Sequence, residues 1–163
     1  MEKRDKIAVY PGTFDPITYG HIDIITRASS IFSKLIVAVA KNSHKDPVFT
    51  IEERVSFLKN SLDHLDNVVI DSFDELLINY LKKVKADVII RGMRVVTDFD
   101  YEFAFAAMNK KLAPEIDTIF LMTSEKYSFI SSTLVKEVVR FGGDVSGYVP
   151  EIVIENLRKK LNR

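Results

Sequence analysis

The chain contains no cysteine. That absence removes disulfides, thiolate nucleophiles and cysteine-ligated zinc at once, and it agrees with a reducing compartment. There is no surplus of either charge, since 23 lysines and arginines meet 23 aspartates and glutamates. No global field draws in nucleic acid, so an anion site has to be built locally, and a small phosphorylated ligand suits such a chain better than DNA or RNA. Apolar runs never approach the roughly 18 residues that a membrane span needs, and the charged start Met1-Glu2-Lys3-Arg4-Asp5-Lys6 is unlike a leader. A cytoplasmic protein with no membrane or nucleic-acid partner is expected. Neither G-x-x-x-x-G-K-[ST] nor G-x-G-x-x-G occurs, which excludes a P-loop NTPase and an ordinary dinucleotide binder.

The 163 residues, 47% of them hydrophobic, suffice for one core and are short for two, so a single domain over 1–163 is expected. Short apolar, β-branched runs at 6–10, 35–40, 68–70, 87–90 and 118–122 read as strands. Stretches at 21–32, 51–62, 76–84, 99–112, 133–141 and 150–161 read as the helices between and after them. Thr50 with Glu53, and Ser72 with Glu75, have capping-box spacing. Pro150 suits a first helical position and Gly142-Gly143 a helix stop. Strands alternating with helices of this length imply right-handed βαβ crossovers. The fold class is therefore α/β, a doubly wound five-stranded parallel sheet flanked by helices. Ligands of such sheets bind beyond the carboxyl ends of the strands, which directs attention to the loops after Tyr10, Ala40, Ile70, Ile90 and Met122.

After the first strand, Pro11-Gly12-Thr13-Phe14-Asp15-Pro16-Ile17-Thr18-Tyr19-Gly20-His21 leads into a helix. Gly12 and Gly20 allow close backbone approach, the helix start offers free N–H groups and a positive dipole end, and His21 would face an anion there. The same residues also suit a strand-turn-helix junction for structural reasons alone, with His21 a solvated first-turn side chain. Before another helix, Tyr127-Ser128-Phe129-Ile130-Ser131-Ser132-Thr133 gathers hydroxyls that serve as N-caps or hold phosphate. Capping accounts for one hydroxyl, not four. After the fourth strand, Arg91-Gly92-Met93-Arg94 offers guanidinium forks to phosphate, with an ion pair to Asp98, Asp100 or Glu102 as the alternative. Lys45 lies in a polar loop, where a lysine is more commonly a solvated charge, and Leu76 and Leu77 read as core.

Thr18-Tyr19-Gly20-His21 resembles the T/H-x-G-H signature of the nucleotidyltransferase superfamily, and Ile130-Ser131-Ser132-Thr133 with Lys136 resembles its I-S-S-T/S signature. Tyr10-Pro11-Gly12-Thr13-Phe14-Asp15-Pro16 and Arg91-Gly92-Met93-Arg94, in register across nearly the whole chain, resemble the phosphopantetheine adenylyltransferase family within it. The resemblance implies a Rossmann-like nucleotidyltransferase fold. It implies in-line transfer of the adenylyl group of ATP to 4′-phosphopantetheine, giving dephospho-coenzyme A and pyrophosphate without a covalent intermediate. ATP contacts are implied for Thr13, Phe14, His21, Gly92, Met93, Arg94, Glu102, Tyr127, Ser128, Phe129, Ile130, Ser131, Ser132 and Thr133. Substrate contacts are implied for Thr13, Lys45, Leu77 and Arg91, and catalytic roles for His21, Lys45, Arg91 and Thr13. Mg2+ is implied on the ATP phosphates, with its protein ligands unassigned, and the implied assembly is a homohexamer. Tyr127 stands where tryptophan is common in relatives, yet it keeps an aromatic ring. A sister nucleotidyltransferase would share both signatures and differ near Leu76 and Arg91. A non-catalytic nucleotide sensor would have lost His21 or Lys45, and both are present.

Overall fold

The computed structural model describes residues 4–41, 46–94 and 97–161. In chain order these form β1 (Arg4–Gly12), α1 (Tyr19–Ile31), β2 (Phe32–Ala40), α2 (Ile51–Leu62), β3 (Val68–Phe73), α3 (Leu77–Lys83), β4 (Val88–Met93), α4 (Thr97–Leu112), β5 (Asp117–Met122), α5 (Ser132–Arg140) and α6 (Glu151–Leu161). The strands make one parallel sheet in the order β3-β2-β1-β4-β5. The chain winds outward from β1 to β3 and then returns to the other side of β1. The direction of winding thus reverses between β1 and β4, the place where open α/β sheets form a crevice. Pairing of β1 with β4 occurs at Ala8–Val88 and Val9–Ile89, whereas pairing with β2 continues to Gly12–Val39. Beyond Val9 the sheet therefore opens on the β4 side.

Side chains alternate across the sheet. Ala8, Tyr10, Leu35, Val37, Val39, Val88 and Ile90 pack with residues of α1, α2, α5 and α6, while Val9, Ile36, Ala38 and Ile89 pack with Leu77, Ile78 and Leu81 of α3 on the opposite face. Both faces of the central strands are covered, which is why those strands read as continuous β-branched runs rather than as polar-apolar alternation. Among the described residues no helix is long and apolar enough to cross a membrane.

The capping box at Thr50 forms: its side chain accepts from the Glu53 amide, and the Glu53 carboxylate accepts from the Thr50 amide at 2.8 Å. The box expected at Ser72 and Glu75 does not. β3 continues to Phe73, so Ser72 belongs to a strand, and α3 starts behind Leu76 without a side-chain cap. Pro150 stands one residue before α6, its carbonyl accepting from the amides of Val153 and Ile154. Gly142 ends α5 at φ +76, and the amides of Gly142 and Gly143 return to the carbonyls of Val139 and Val138, both at 2.9 Å. These two bonds make a Schellman closure.

Arg54 of α2, only 1% exposed, secures the ends of β1 and β2. Its Nη1 donates to the carbonyls of Thr13 (2.8 Å) and Ala40 (3.2 Å), and its Nε donates to Phe49 (3.1 Å) and Thr50 (3.3 Å). Strand ends leave carbonyls that no ladder satisfies, and one guanidinium here serves two of them, at Thr13 and Ala40, together with two at the start of α2. Replacing it strands those acceptors in a buried place. Arg54→Leu is expected to lower stability by about 3 kcal/mol. In a thermal melt this is a fall of roughly 6–12 °C for a chain of this size, and an unchanged melting temperature would contradict the role given to Arg54.

Candidate functional site

A cavity of about 320 Å³ opens where β1 and β4 part. Its wall comes from Tyr10, Pro11, Gly12, Thr13, Phe14 and Asp15 after β1, from Thr18, Gly20 and His21 at the start of α1, and from Arg91, Gly92 and Arg94 at β4. Thr123, Ile130, Ser131, Ser132, Thr133 and Lys136 complete it. Of the residues that the sequence singles out, Thr13, Phe14, His21, Arg91, Gly92, Arg94, Ile130, Ser131, Ser132 and Thr133 thus meet. Glu102 stands behind Arg91. Met93 is buried, and Tyr127, Ser128 and Phe129 lie outside the wall. Tyr127 instead stacks on Tyr19 with ring centroids 6.1 Å apart. Leu77 packs into the core on the α3 face, beside an exposed Leu76. Lys45 lies outside the described residues.

His21 is both a helix cap and a cavity residue. Thr18 is the N-cap of α1, its hydroxyl accepting from the His21 amide at 3.3 Å, while the Thr18 amide donates to Nδ1 of His21 at 3.0 Å. This is a capping box with an imidazole where a glutamate or glutamine is usual. A backbone N–H can only donate, so Nδ1 carries no proton, and the neutral ring bears its hydrogen on Nε2. Burial, reinforced by the charge of Arg94, pushes the His21 pKa down to about 4. The ring presents a fixed neutral donor. Phe14, at φ +50, packs edge-on against it with centroids 5.2 Å apart. A Cβ on Gly12 would come within 2.9 Å of that phenyl ring, so Gly12 is required by packing. A Cβ on Gly20 would meet only ordinary contacts from 3.5 Å outward, and crowding does not account for the glycine there.

Arg91 donates from Nε and Nη2 to the two oxygens of Glu102, at 2.6 and 2.5 Å, and from Nη1 to the Pro11 carbonyl at 3.2 Å. Burial works against its charge, but the Glu102 carboxylate overcomes that and raises its pKa. The ion pair weighed as an alternative to a phosphate contact therefore forms, and it fixes the guanidinium while each terminal nitrogen keeps a second N–H. At α5, Ser131 caps the helix by accepting from the Leu134 amide at 3.0 Å, and the Ser132 hydroxyl donates to the Pro16 carbonyl at 2.7 Å. Ser128 donates to Glu125 at 2.9 Å. Ser128 and Ser132 thus spend their hydrogens on carbonyls, whereas Ser131 only accepts and keeps its O–H, so the hydroxyls of Ser131 and Thr133 and the first helix amides remain as anion donors.

Asp15 and Lys136 carried no signal of their own in the sequence beyond their place in the motifs. Asp15, 4% exposed, accepts from Lys136 Nζ at 2.7 Å and from the amides of Val48 (3.0 Å) and Phe49 (2.9 Å). It ties the loops after β1 and β2 to α5. Among the described residues it is the only acidic side chain in the cavity wall, and no group of three or more histidines, aspartates or glutamates is arranged to hold a metal.

The sequence profile of the cytidylyltransferase-like family matches residues 9–138. The chain is 54% identical to the phosphopantetheine adenylyltransferase of Caldanaerobacter subterraneus subsp. tengcongensis over 97% of its length and 99% of that protein's. It is 56% identical to the protein of that name from Carboxydothermus hydrogenoformans over 97% of its length and 98% of that protein's. The structure of Plasmodium falciparum nicotinic acid mononucleotide adenylyltransferase complexed with NaAD superposes with a TM-score of 0.68 at 17% identity, covering 96% of each chain. The last likeness concerns the fold.

His21 offers a direct check of the site electrostatics. A ¹⁵N-edited proton spectrum should show one neutral tautomer protonated at Nε2, with no titration of this ring between pH 5 and 8. Its folded pKa lies below the ordinary 6.5, so the unfolded chain takes up the proton first. Stability from this group is complete above about pH 6.5 and is lost as pH falls toward 4. A ring that titrates near pH 6.5 would contradict the capping geometry.

Proposed function

We propose that this chain, which belongs to the phosphopantetheine adenylyltransferase family of cytidylyltransferase-like proteins, transfers the adenylyl group of ATP to 4′-phosphopantetheine, releasing pyrophosphate and dephospho-coenzyme A. The observation that carries the reading is the convergence of His21, Arg91, Arg94 and the α5 N-terminus on one cavity at the β1/β4 switch point. Each contributes hydrogen-bond donors, and together they suit a run of phosphates. A phosphate nucleophile already carries charge, so the reaction requires neither a general base nor a covalent intermediate. Catalysis then comes from alignment and from donors aimed at charge that redistributes in the transition state.

In this reading Thr13 orients the attacking phosphate, and Arg91, held by Glu102, binds it through its remaining N–H groups. Lys45 is assigned to the same phosphates by family likeness. His21 Nε2–H donates to the α-phosphate. Thr133 and the first amides of α5 hold the leaving pyrophosphate, with Ser131 and Ser132 shaping that turn. Phe14, Gly92, Met93, Arg94, Glu102 and the segment 127–130 border the nucleotide. Leu77 is committed to the core, so the exposed Leu76 is the apolar side chain available to the pantetheine arm. Mg2+ is the expected companion of ATP. Asp15 is committed to Lys136 and two amides, so the described residues offer no carboxylate cage, and the ion would be held mainly by the phosphates, whose charge it would offset. A cytoplasmic homohexamer is part of the proposal. It is supported by family likeness and by the exposed Phe99, Phe103, Met108 and Leu112 of α4 beside Ile119 and Met122 of edge strand β5.

Incubation with ATP, Mg2+ and 4′-phosphopantetheine should yield dephospho-coenzyme A by mass spectrometry. His21→Ala should form it with kcat lower by about 10²–10³ while ATP binding holds, because a donor matched to transition-state charge acts on kcat rather than on ground-state affinity. No dephospho-coenzyme A from the wild type, or wild-type turnover by a folded His21→Ala protein, would overturn the assignment.

A further inference from the structure

Tyr10 stands at the carboxyl end of the central strand, one residue beyond the last β1–β4 pair at Val9 and Ile89. It is 7% exposed and lines the cavity. Its ring packs edge-on against Phe14 with centroids 5.5 Å apart. Its hydroxyl lies beside Gly92, another wall residue, where an added Cβ would come within 3.1 Å of the phenolic oxygen. Among the described residues that hydroxyl makes no hydrogen bond. A phenol ordinarily finds a partner, in the protein or in solvent. Tyr80, 3% exposed, does so here by donating to Asp71 at 2.8 Å. The oxygen itself is not sealed off, since among the described residues the buried side-chain polar atom without a partner is Nδ2 of Asn109; the hydroxyl reaches the open space of the cavity, where a ligand can accept its hydrogen.

The surroundings indicate what the hydroxyl awaits. Arg91 and Arg94 are the cations whose fields act on it, and the Arg91 guanidinium is bonded to the carbonyl of the next residue, Pro11. Burial, aided by the Glu102 carboxylate that pairs with Arg91, outweighs those charges and pushes the Tyr10 pKa up to about 12, so the group is a neutral O–H donor throughout the physiological range. A neutral O–H beside two arginines, in a wall where the one described acid is already bonded, is complementary to an oxyanion.

We propose that Tyr10 is a substrate-binding residue whose hydroxyl donates a hydrogen bond to the phosphate held by Arg91, the acceptor phosphate of the transfer. This rests on the reaction assigned above. It adds a neutral donor to the crevice, beside a Gly92 where a Cβ would press on this hydroxyl at 3.1 Å and on Ile24 at 3.3 Å.

Tyr10→Phe removes the oxygen and keeps the ring. Calorimetry with 4′-phosphopantetheine, which needs no turnover, should show affinity about tenfold weaker than in the wild type, with ATP affinity within twofold. In steady state kcat/KM for 4′-phosphopantetheine should fall by a similar factor, and the melting temperature should hold or rise. Unchanged 4′-phosphopantetheine affinity and kinetics would overturn the proposal, and so would a loss that tracks a lowered melting temperature or falls equally on ATP. Failure of the wild type to form dephospho-coenzyme A would instead count against the assigned reaction, while the calorimetric comparison would still decide whether Tyr10 binds the phosphate.

Discussion

Two buried charges, Arg54 and Asp15, hold the loops from which the site is made. The turns at the ends of β1 and β2 run where no strand ladder continues, so their backbone groups need other partners. Arg54 takes four carbonyls from these turns and the start of α2. Asp15 takes two amides from the segment after β2 and the ammonium of Lys136 from α5. Between them they place Thr13, the segment at Val48 and Phe49 and the α5 N-terminus in fixed relation. A site that works by alignment depends on such support, because small displacements of donors cost much of the effect.

The electrostatics follow the same economy. A chain with no net charge concentrates donors at one crevice and neutralises what it does not need exposed. Arg91 keeps its charge but is oriented by Glu102, and Lys136 is paired with Asp15. His21 is held neutral by burial and the charge of Arg94, and the Thr18 amide fixes its tautomer. In the proposed reaction the phosphates would meet a mixture of charged and neutral donors already in place, which is what stabilisation of spreading charge requires.

Much of this was legible in the sequence because it is written in local periodicity. All five strands and six helices occur where apolar runs and amphipathic stretches put them, and α2 spans the expected 51–62. The Thr50 box and the Gly142 stop are short-range chemistry and read correctly. Ser72 and Glu75 show the limit of that reasoning: the same spacing lies in an extension of β3, where pairing of Ser72 with Val39 outweighs a capping preference. The cavity residues Thr13, His21, Arg91 and Ser131 were visible as unusual residues in loops after strands. What was not visible depends on contacts far apart in sequence: Arg54 reaching Thr13, Asp15 reaching Lys136, and Tyr10 facing Gly92. Tyr10 reads as the end of a strand and the first residue of a motif, with no role for its hydroxyl, and His21 as either an anion ligand or a solvated first-turn side chain, whereas the structure makes it a cap whose other nitrogen remains available.

The central claim is that donors align two phosphates for direct displacement, with no enzyme-bound intermediate between them. The stereochemical course at the α-phosphorus tests it most directly. With ATP made chiral at that atom by sulfur and oxygen-isotope substitution, a single in-line displacement gives dephospho-coenzyme A with inverted configuration, and this is the predicted result. Retention would mean two successive displacements through a covalent adenylyl-enzyme, and would contradict the account.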